Sequence, residues 1–408
     1  MSVAGLGAQA GQRCAARAAG RDVLAIQDTS EIALGGLKLR AKGFGPVGKG
    51  GAVGGVLLHP VLAVDAGSGA LLGLVDVAVW NRDTGKMVED RARRASADRE
   101  SQRWRTGAQR AGEVLASAAR ITAVSDRESD IYEDFACRPA NVHLLVRARH
   151  DRILDRESSA APGRLFGYLD SLPETMRITV DIPAAPGRAA RKAVLALRFG
   201  PVTVRAPTRG MPAHDLKALP ASLLLHGVDI READAPGGIE PIHWRLLTSH
   251  TISSAGQARM MLDFYRRRWI VEEYFRTLKT AGFQIEDADI GDPRAMMNFT
   301  ALAAIAAVTV TQLLRARDNP EGQGLGDAFD AHDQPLLEAI NASYEGPRPT
   351  ARLTNPHQRG TLAFATWVIA RLGGWTVYYG KPGPNVLSRG LKDFQAIKYG
   401  AGLARGHV

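Results

Sequence analysis

Two acids close short apolar runs in this 408-residue chain. Asp28 follows residues 23–27 (VLAIQ), and Asp126 follows residues 121–125 (ITAVS). Short unbroken apolar runs of this kind form buried strands, and an acid at the end of such a strand can point into a cleft. A third acid, Glu272, lies in residues 256–280, GQARMMLDFYRRRWIVEEYFRTLKT. No Gly or Pro occurs from 257 to 280, and strong helix formers dominate, so the spacing predicts one long helix. Tyr265, Arg268, Glu272 and Lys279 follow one another at steps of 3, 4 and 7 residues. At roughly 100° per residue they fall within about 60° of one another, with Phe264, Val271, Tyr274, Phe275 and Leu278 opposite. A carboxylate flanked by two cations and a phenol suits a metal ligand placed beside a phosphate, and hard oxygen donors suit magnesium or manganese. The same face also reads as an ordinary surface helix with an Arg268–Glu272 pair at i,i+4. Three carboxylates decide little among 42 Asp and Glu.

The elements that must position these residues follow from the patterning. Residues 1–20, rich in Ala, Gly and Arg, predict a mobile or weakly helical lead-in. The apolar runs at 23–27, 56–64 and 70–80 predict an antiparallel meander. Between the first two lies a glycine-rich loop, residues 43–55, GFGPVGKGGAVGG. It nearly spells a phosphate-binding loop at Gly43, Gly48 and Lys49, but Gly50 stands where a Ser or Thr would hold magnesium. It also leads into a strand pattern, so it predicts a hairpin connection and no nucleotide cofactor. Residues 91–119 are mostly helical in composition. A strand follows at 121–124, then a helix at 131–136 capped by Ser129 and Asp130. A fifth strand is expected at 143–149, with Arg147 and Arg149 alternating on one face. Residues 150–250 change to short alternating runs (177–182, 192–199, 202–205, 223–230) separated by Pro and Gly, a strand-rich insertion closing at 243–249. Helical segments occupy 294–317 and 358–372.

Composition narrows the partners. Lys and Arg exceed Asp and Glu by 52 to 42, a net charge of +10, with an isoelectric point near 9.8. The excess is carried by Arg, whose fork suits phosphate, and a nucleic acid is the usual polyanion for such a protein. Two cysteines, Cys14 and Cys137, with no Cys-x-x-Cys pair, argue against a cysteine-based zinc site and a disulfide framework, which favours a cytoplasmic location. The most apolar stretch, residues 299–314, is short for a membrane span and carries three Thr and a Gln, so it predicts a buried helix and no membrane partner.

The words around the three acids are more specific than the acids. IQDTSE around Asp28, SDRESDIYE around Asp126, and Tyr265-x2-Arg268-x3-Glu272-x6-Lys279 together resemble the insertion-sequence-four family of DDE transposases, of the transposon-five type. LHPVLAV from Leu58, LGLVDVAVW from Leu72 and HWRLLTS from His243 are similar to segments of that family as well. The resemblance implies an α/β fold, with a ribonuclease H-like core of mixed sheet and flanking helices. On that reading residues 1–22 are a flexible stub, and 23–149 and 251–318 form the core in two parts. Residues 150–250 are the β-rich insertion, and 319–408 a helical region for dimerisation. The resemblance further implies that Asp28, Asp126 and Glu272 hold two magnesium ions (manganese accepted), about 4 Å apart. It also implies that Tyr265, Arg268 and Lys279 grip phosphates, that Trp244 stacks on a flipped base, and that Arg147 and Arg149 contact DNA. His59, His243 and Tyr132 lie near these motifs and read as structural. The implied activity is cut-and-paste transposition on double-stranded DNA by a homodimer, through end cleavage, hairpin formation and strand transfer. Only 27 residues precede Asp28, where family members carry an end-binding helical domain. A truncated, non-catalytic remnant or inhibitor acting through dimerisation is therefore the alternative, and a ribonuclease H-like nuclease with other substrates a third reading.

Overall fold

The computed structural model describes residues 3–35, 43–48, 51, 53–82, 100–155, 163–182, 189–208, 218–346 and 350–404. The expected Lys49–Gly50 pair and the first part of the expected helix at 91–119 lie outside these. In chain order the elements begin with α1 (Val3–Ala18), β1 (Asp22–Gln27), β2 (Ser30–Ala33), β3 (Gly45–Val47), β4 (Val53–Asp65) and β5 (Leu71–Trp80). There follow α2 (Gln102–Val114), β6 (Arg120–Ser125), α3 (Tyr132–Ala136) and β7 (Val142–Arg147). The insertion contributes α4 (Leu165–Ser171), β8 (Met176–Ile182), β9 (Arg191–Arg205) and β10 (Ser222–Glu232), and β11 (His243–Thr248) returns the chain to the core. The remaining helices are α5 (Ala255–Arg267), α6 (Ile270–Arg276), α7 (Pro293–Asp318), α8 (Gln334–Glu345), α9 (Leu362–Leu372) and α10 (Pro384–Ala404).

Among the described residues one sheet takes all eleven strands, in the order β2-β4-β1-β6-β7-β11-β10-β9-β8, with β3 and β5 also on β4. β1, β4 and β5 form the expected antiparallel meander, while β1–β6 and β6–β7 are parallel. The insertion is not a separate layer, because its strands continue the core sheet beyond β11. The two runs expected at 192–199 and 202–205 are one strand, β9, which passes through Pro201. β8 pairs with β9 only as far as Leu197, so Pro201 lies where no strand needs its missing N–H. Alternation splits the core between the two sheet faces. Leu24, Ile26, Val124, Leu145 and Leu246 face α5–α7, and Val23, Ala25, Ala123, Leu144 and Leu247 face α2–α4. This is the ribonuclease H-like arrangement of mixed sheet and flanking helices.

Two elements differ from expectation. Residues 3–18 are not a mobile lead-in but helix α1, which buries Leu6, Ala10, Cys14 and Ala18 against the meander. Its small residues serve this packing: a Cβ on Gly11 would lie 2.9 Å from the Val75 carbonyl oxygen. The predicted long helix at 257–280 is present but not uniform. It tightens to i→i−3 hydrogen bonds at Arg268–Trp269, both still in right-handed helical conformation, continues as α6, and ends in a π-turn over Thr277–Ala281. By contrast the apolar stretch at 299–314 is a core helix, as expected. α7 is long and apolar enough to span a membrane by length and composition, yet 56% of its most apolar window is buried. Its Gln312 donates to the Leu71 and Asp327 carbonyls, 2.7 Å each.

α9 and α10 close a third core, and their contact depends on Gly390 and on Gly373, where a Cβ would lie 2.0 Å from the Val386 carbonyl oxygen. A Cβ on Gly390 would lie 1.8 Å from the Ile369 carbonyl oxygen, whereas Gly400 on the same helix has nothing within 4 Å. Gly390→Ala is expected to destabilise this region by about 1–3 kcal/mol through overpacking. Gly400→Ala is expected to stabilise by up to about 1 kcal/mol through helix propensity. Thermal melts of the two variants should therefore shift in opposite directions; a shared direction would refute this packing.

Candidate active site

The parallel register brings three of the predicted residues to one level. Ile26 pairs with Val124 and Ser125 with Val146. Continuing each register past the strand ends places Asp28 beside Asp126 and Asp126 beside Arg147. Side chains alternate across a sheet, so all three share the parity of Ile26, Val124 and Leu145 and project toward α5 and α6. Trp244, two residues before Leu246, has the same parity.

β1 and β2 run along β4 in one unbroken register, Gln27 opposite Val61 and Ser30 opposite Leu58. Asp28 and Thr29 therefore fall opposite Pro60 and His59. Pro60 has no N–H to give the ladder, and the strand lapses for these two residues. A directed hydrogen-bond chain holds the gap. Arg103 Nε donates to Thr29 Oγ1 (2.6 Å), which shares a proton with His59 Nδ1 (2.9 Å). His59 Nε2 meets Gln27 Oε1 at 3.2 Å, and Gln27 Nε2 donates to the Trp104 carbonyl. With Arg103 donating, Thr29 donates to Nδ1 and the imidazole donates from Nε2. Burial lowers the His59 pKa to about 3, with Arg103 adding to the effect, which keeps the ring neutral as this chain requires. His59 is a structural histidine, as the sequence reading held.

Arg268 ties the helix to the sheet. Its Nη1 lies 2.9 Å from Asp28 Oδ2 and its Nη2 2.9 Å from Glu272 Oε1. The i,i+4 pair of the simpler reading is thus present, but it is half of a bridge. Asp126 caps the turn at Arg127–Ser129, accepting from Glu128 N at 2.8 Å; among the described residues it has no ion-pair partner. Burial, then repulsion from Asp126, raise the Asp28 pKa from 3.8 to about 6 against the pull of Arg268. Negative charge here exceeds what the protein itself neutralises, and the donors are hard carboxylate oxygens. That combination fits a divalent cation.

The other predicted residues are arranged unevenly. Tyr265 is buried; its ring meets Trp244 edge-on at 5.5 Å and underlies the Arg268 guanidinium at 5.9 Å. Burial raises its pKa, and it feels the charges of Arg268, Arg147 and Asp126. Arg147 Nη2 donates to the His243 carbonyl at 3.3 Å. Arg149 does not share a strand face with Arg147, because β7 ends at Arg147. Its amide donates instead to Asp130 Oδ2 at 2.7 Å, and its side chain is exposed. Lys279, within the π-turn, donates to the Glu31 carbonyl and pairs with Glu286 Oε1 at 3.3 Å. It therefore reaches β2 rather than the carboxylates. Sequence reading took Asp130 for a helix cap. In the structure this fully buried carboxylate accepts from Arg149 N, His150 N and Arg152, fixing the segment just past Arg147.

Among the described residues a tighter group of metal-type donors also exists: Asp170, Asp229 and His243, with ligand atoms within 4.8 Å of one another. It lies on the opposite face of the sheet, under α4. Arg231 and Arg245 hold Asp170 at 2.6 and 3.0 Å, and Arg198 and Arg245 approach Asp229 at 3.5 and 3.6 Å. Three guanidiniums already supply the positive charge, so this group is an ion-pair network that joins α4 to β9, β10 and β11.

Residues 57–309, more than half the chain, match the family described as the transposase DDE domain. The chain belongs to this family of transposases, which cut and transfer DNA with the help of divalent metal ions. The match includes Asp126 and Glu272; Asp28 lies ahead of its first residue and joins the other two through the β1–β6 register and Arg268.

The raised pKa of Asp28 makes a stability prediction. Between pH 3.8 and about 6 the folded protein holds this proton more tightly than the unfolded chain, so stability falls as pH rises through that window. Asp28→Asn cannot ionise. It is expected to be more stable than wild type by about 1–3 kcal/mol at neutral pH, because the raised pKa already includes the pull of Arg268. The advantage should vanish near pH 4. Urea unfolding at both pH values checks this; a variant less stable at neutral pH would contradict it.

Proposed function

We propose that the chain is a cut-and-paste DNA transposase of the insertion-sequence-four type, acting in the cytoplasm as a homodimer on double-stranded DNA. The observation that carries this reading is the single Arg268 fork reaching both Asp28 and Glu272, with Asp126 at the same sheet level. Asp28, Asp126 and Glu272 would hold two magnesium or manganese ions. Bound there, such ions activate the attacking oxygen and stabilise the leaving one in an in-line displacement. The protein's own groups orient the DNA. Arg147 and Arg268 lie beside the carboxylates and bind the phosphates that flank the reacting one. Lys279 and Arg149 contact the backbone further out, on opposite sides of the site. Trp244, braced by Tyr265, offers an aromatic face to an unstacked base, a contact contributing about 1–3 kcal/mol.

End cleavage, hairpin formation, hairpin opening and strand transfer are all displacements at phosphorus, so one site serves every step. Tyr265 is buried with its pKa raised, which suits bracing Trp244 and Arg268 and not attack on phosphorus. The proposed division is a core of 23–149 and 251–318 interrupted by 150–250, with 319–408 mediating dimerisation.

Incubation with a DNA hairpin bearing the element's terminal repeat and magnesium tests the reading. Wild type is expected to open the hairpin. Glu272→Gln and Asp126→Asn should each slow opening by about a thousandfold, equivalent to about 4 kcal/mol of lost transition-state stabilisation. A folded, dimeric wild type that opens nothing would point to the non-catalytic reading.

A further inference from the structure

We propose that Arg268 is the resident counter-cation of the carboxylate site, and that it must leave Asp28 and Glu272 for metal to load. A DNA phosphate that captures its guanidinium then makes metal binding and DNA binding mutually reinforcing. The inference rests on reading Asp28, Asp126 and Glu272 as metal ligands.

The geometry is specific. Arg usually grips one carboxylate with both arms. Here each arm takes a different carboxylate at 2.9 Å, one on the sheet and one on α6. The guanidinium therefore spans the space that a cation shared by those two ligands would use. It is 11% exposed at its side chain, and the groups around it are Tyr265, Asp28 and Glu272, with Asp126 and Arg147 close enough for Tyr265 to feel their charge. A divalent ion placed between the same two carboxylates would be repelled by the guanidinium at close range. The two cannot comfortably share these oxygens.

The backbone offers a way out. Arg268 and Trp269 join α5 to α6 through a tightened helical turn with i→i−3 hydrogen bonds, and Trp269 beside it is 57% exposed. At this point the chain does not bury both neighbours of the moving side chain. The anion available to a transposase is DNA phosphate, for which a freed guanidinium is well shaped. If phosphate favours the released state, metal affinity rises by the same factor by which metal raises DNA affinity. In the DNA-free protein Arg268 then occupies the space between Asp28 and Glu272 while Asp126 stays unpaired among the described residues, and the site is poorly loaded.

Manganese binding, followed by calorimetry and by the free-ion electron paramagnetic resonance signal, tests this without any turnover. Arg268→Gln, which keeps hydrogen-bonding capacity and loses the charge, is expected to bind manganese about tenfold or more tightly than wild type without DNA. Arg268→Lys, unable to span both carboxylates, should fall between them. A short mixed-sequence duplex should tighten manganese binding in wild type and leave Arg268→Gln unchanged. The inference is overturned if Arg268→Gln binds manganese no better than wild type, as a purely structural bridge requires. A duplex without effect on wild type overturns the coupling to phosphate. Adding Asp126→Asn to Arg268→Gln separates the two levels. Loss of the tight binding supports the site; its persistence means that the metal lies elsewhere, and the underlying reading fails with the inference. Thermal melts of each variant confirm that it is folded.

Discussion

Like charge has to be concentrated at one sheet level and the fold has to survive it. Asp28 and Asp126 reach that level because β1 and β6 are parallel and in register, and Glu272 joins them from α6. Carboxylates gathered at one level repel one another, more strongly where burial lowers the dielectric. The protein answers with Arg268, which holds sheet and helix together while offsetting part of the charge. The offset is incomplete, since Asp126 has no ion-pair partner among the described residues, and burial, then Asp126, hold the Asp28 pKa up at about 6. A site left short of positive charge costs stability and gains affinity for a cation, the trade expected where function and stability compete.

The supporting structure is arranged around that concentration. On the β4 side, Arg103, Thr29, His59 and Gln27 form one chain of hydrogen bonds that fixes the two-residue gap containing Asp28. On the β7 side, buried Asp130 gathers the backbone and Arg152 just past Arg147. The insertion strands lengthen the same sheet and brace β11, which carries Trp244. Their own acids are matched by arginines on the far face, so Asp229 and Asp170 are balanced where Asp28 and Asp126 are not. That contrast, more than proximity of donors, distinguishes the candidate site from the ion-pair network.

Much of this was legible in the sequence. Apolar runs ending in Asp28 and Asp126 are local patterns, and the apolar stripe of Phe264, Val271, Tyr274 and Leu278 was found buried as periodicity requires. What was not legible depends on partners distant in the chain. Helix propensity says nothing of Arg268 meeting a strand end 240 residues away, nor of the tightened turn after α5 and the π-turn beyond α6. Arg149 looked like a strand residue because its amide's partner, Asp130, belongs to another element. The role of His59 follows from the β1–β4 register, which no single segment carries. For α1 the sequence allows a weak helix, and its burial follows only from the close approach of its Ala and Gly to the neighbouring strand.

We propose that Asp28, Asp126 and Glu272 form one divalent-metal site that Arg268 occupies in the absence of DNA. Crystals grown with manganese and a DNA duplex locate the ion through its anomalous scattering. Manganese peaks bounded by these three carboxylates are expected, with the Arg268 guanidinium turned away toward a phosphate. Manganese at Asp170, Asp229 and His243, or Arg268 still bridging Asp28 and Glu272 beside a bound ion, would contradict it.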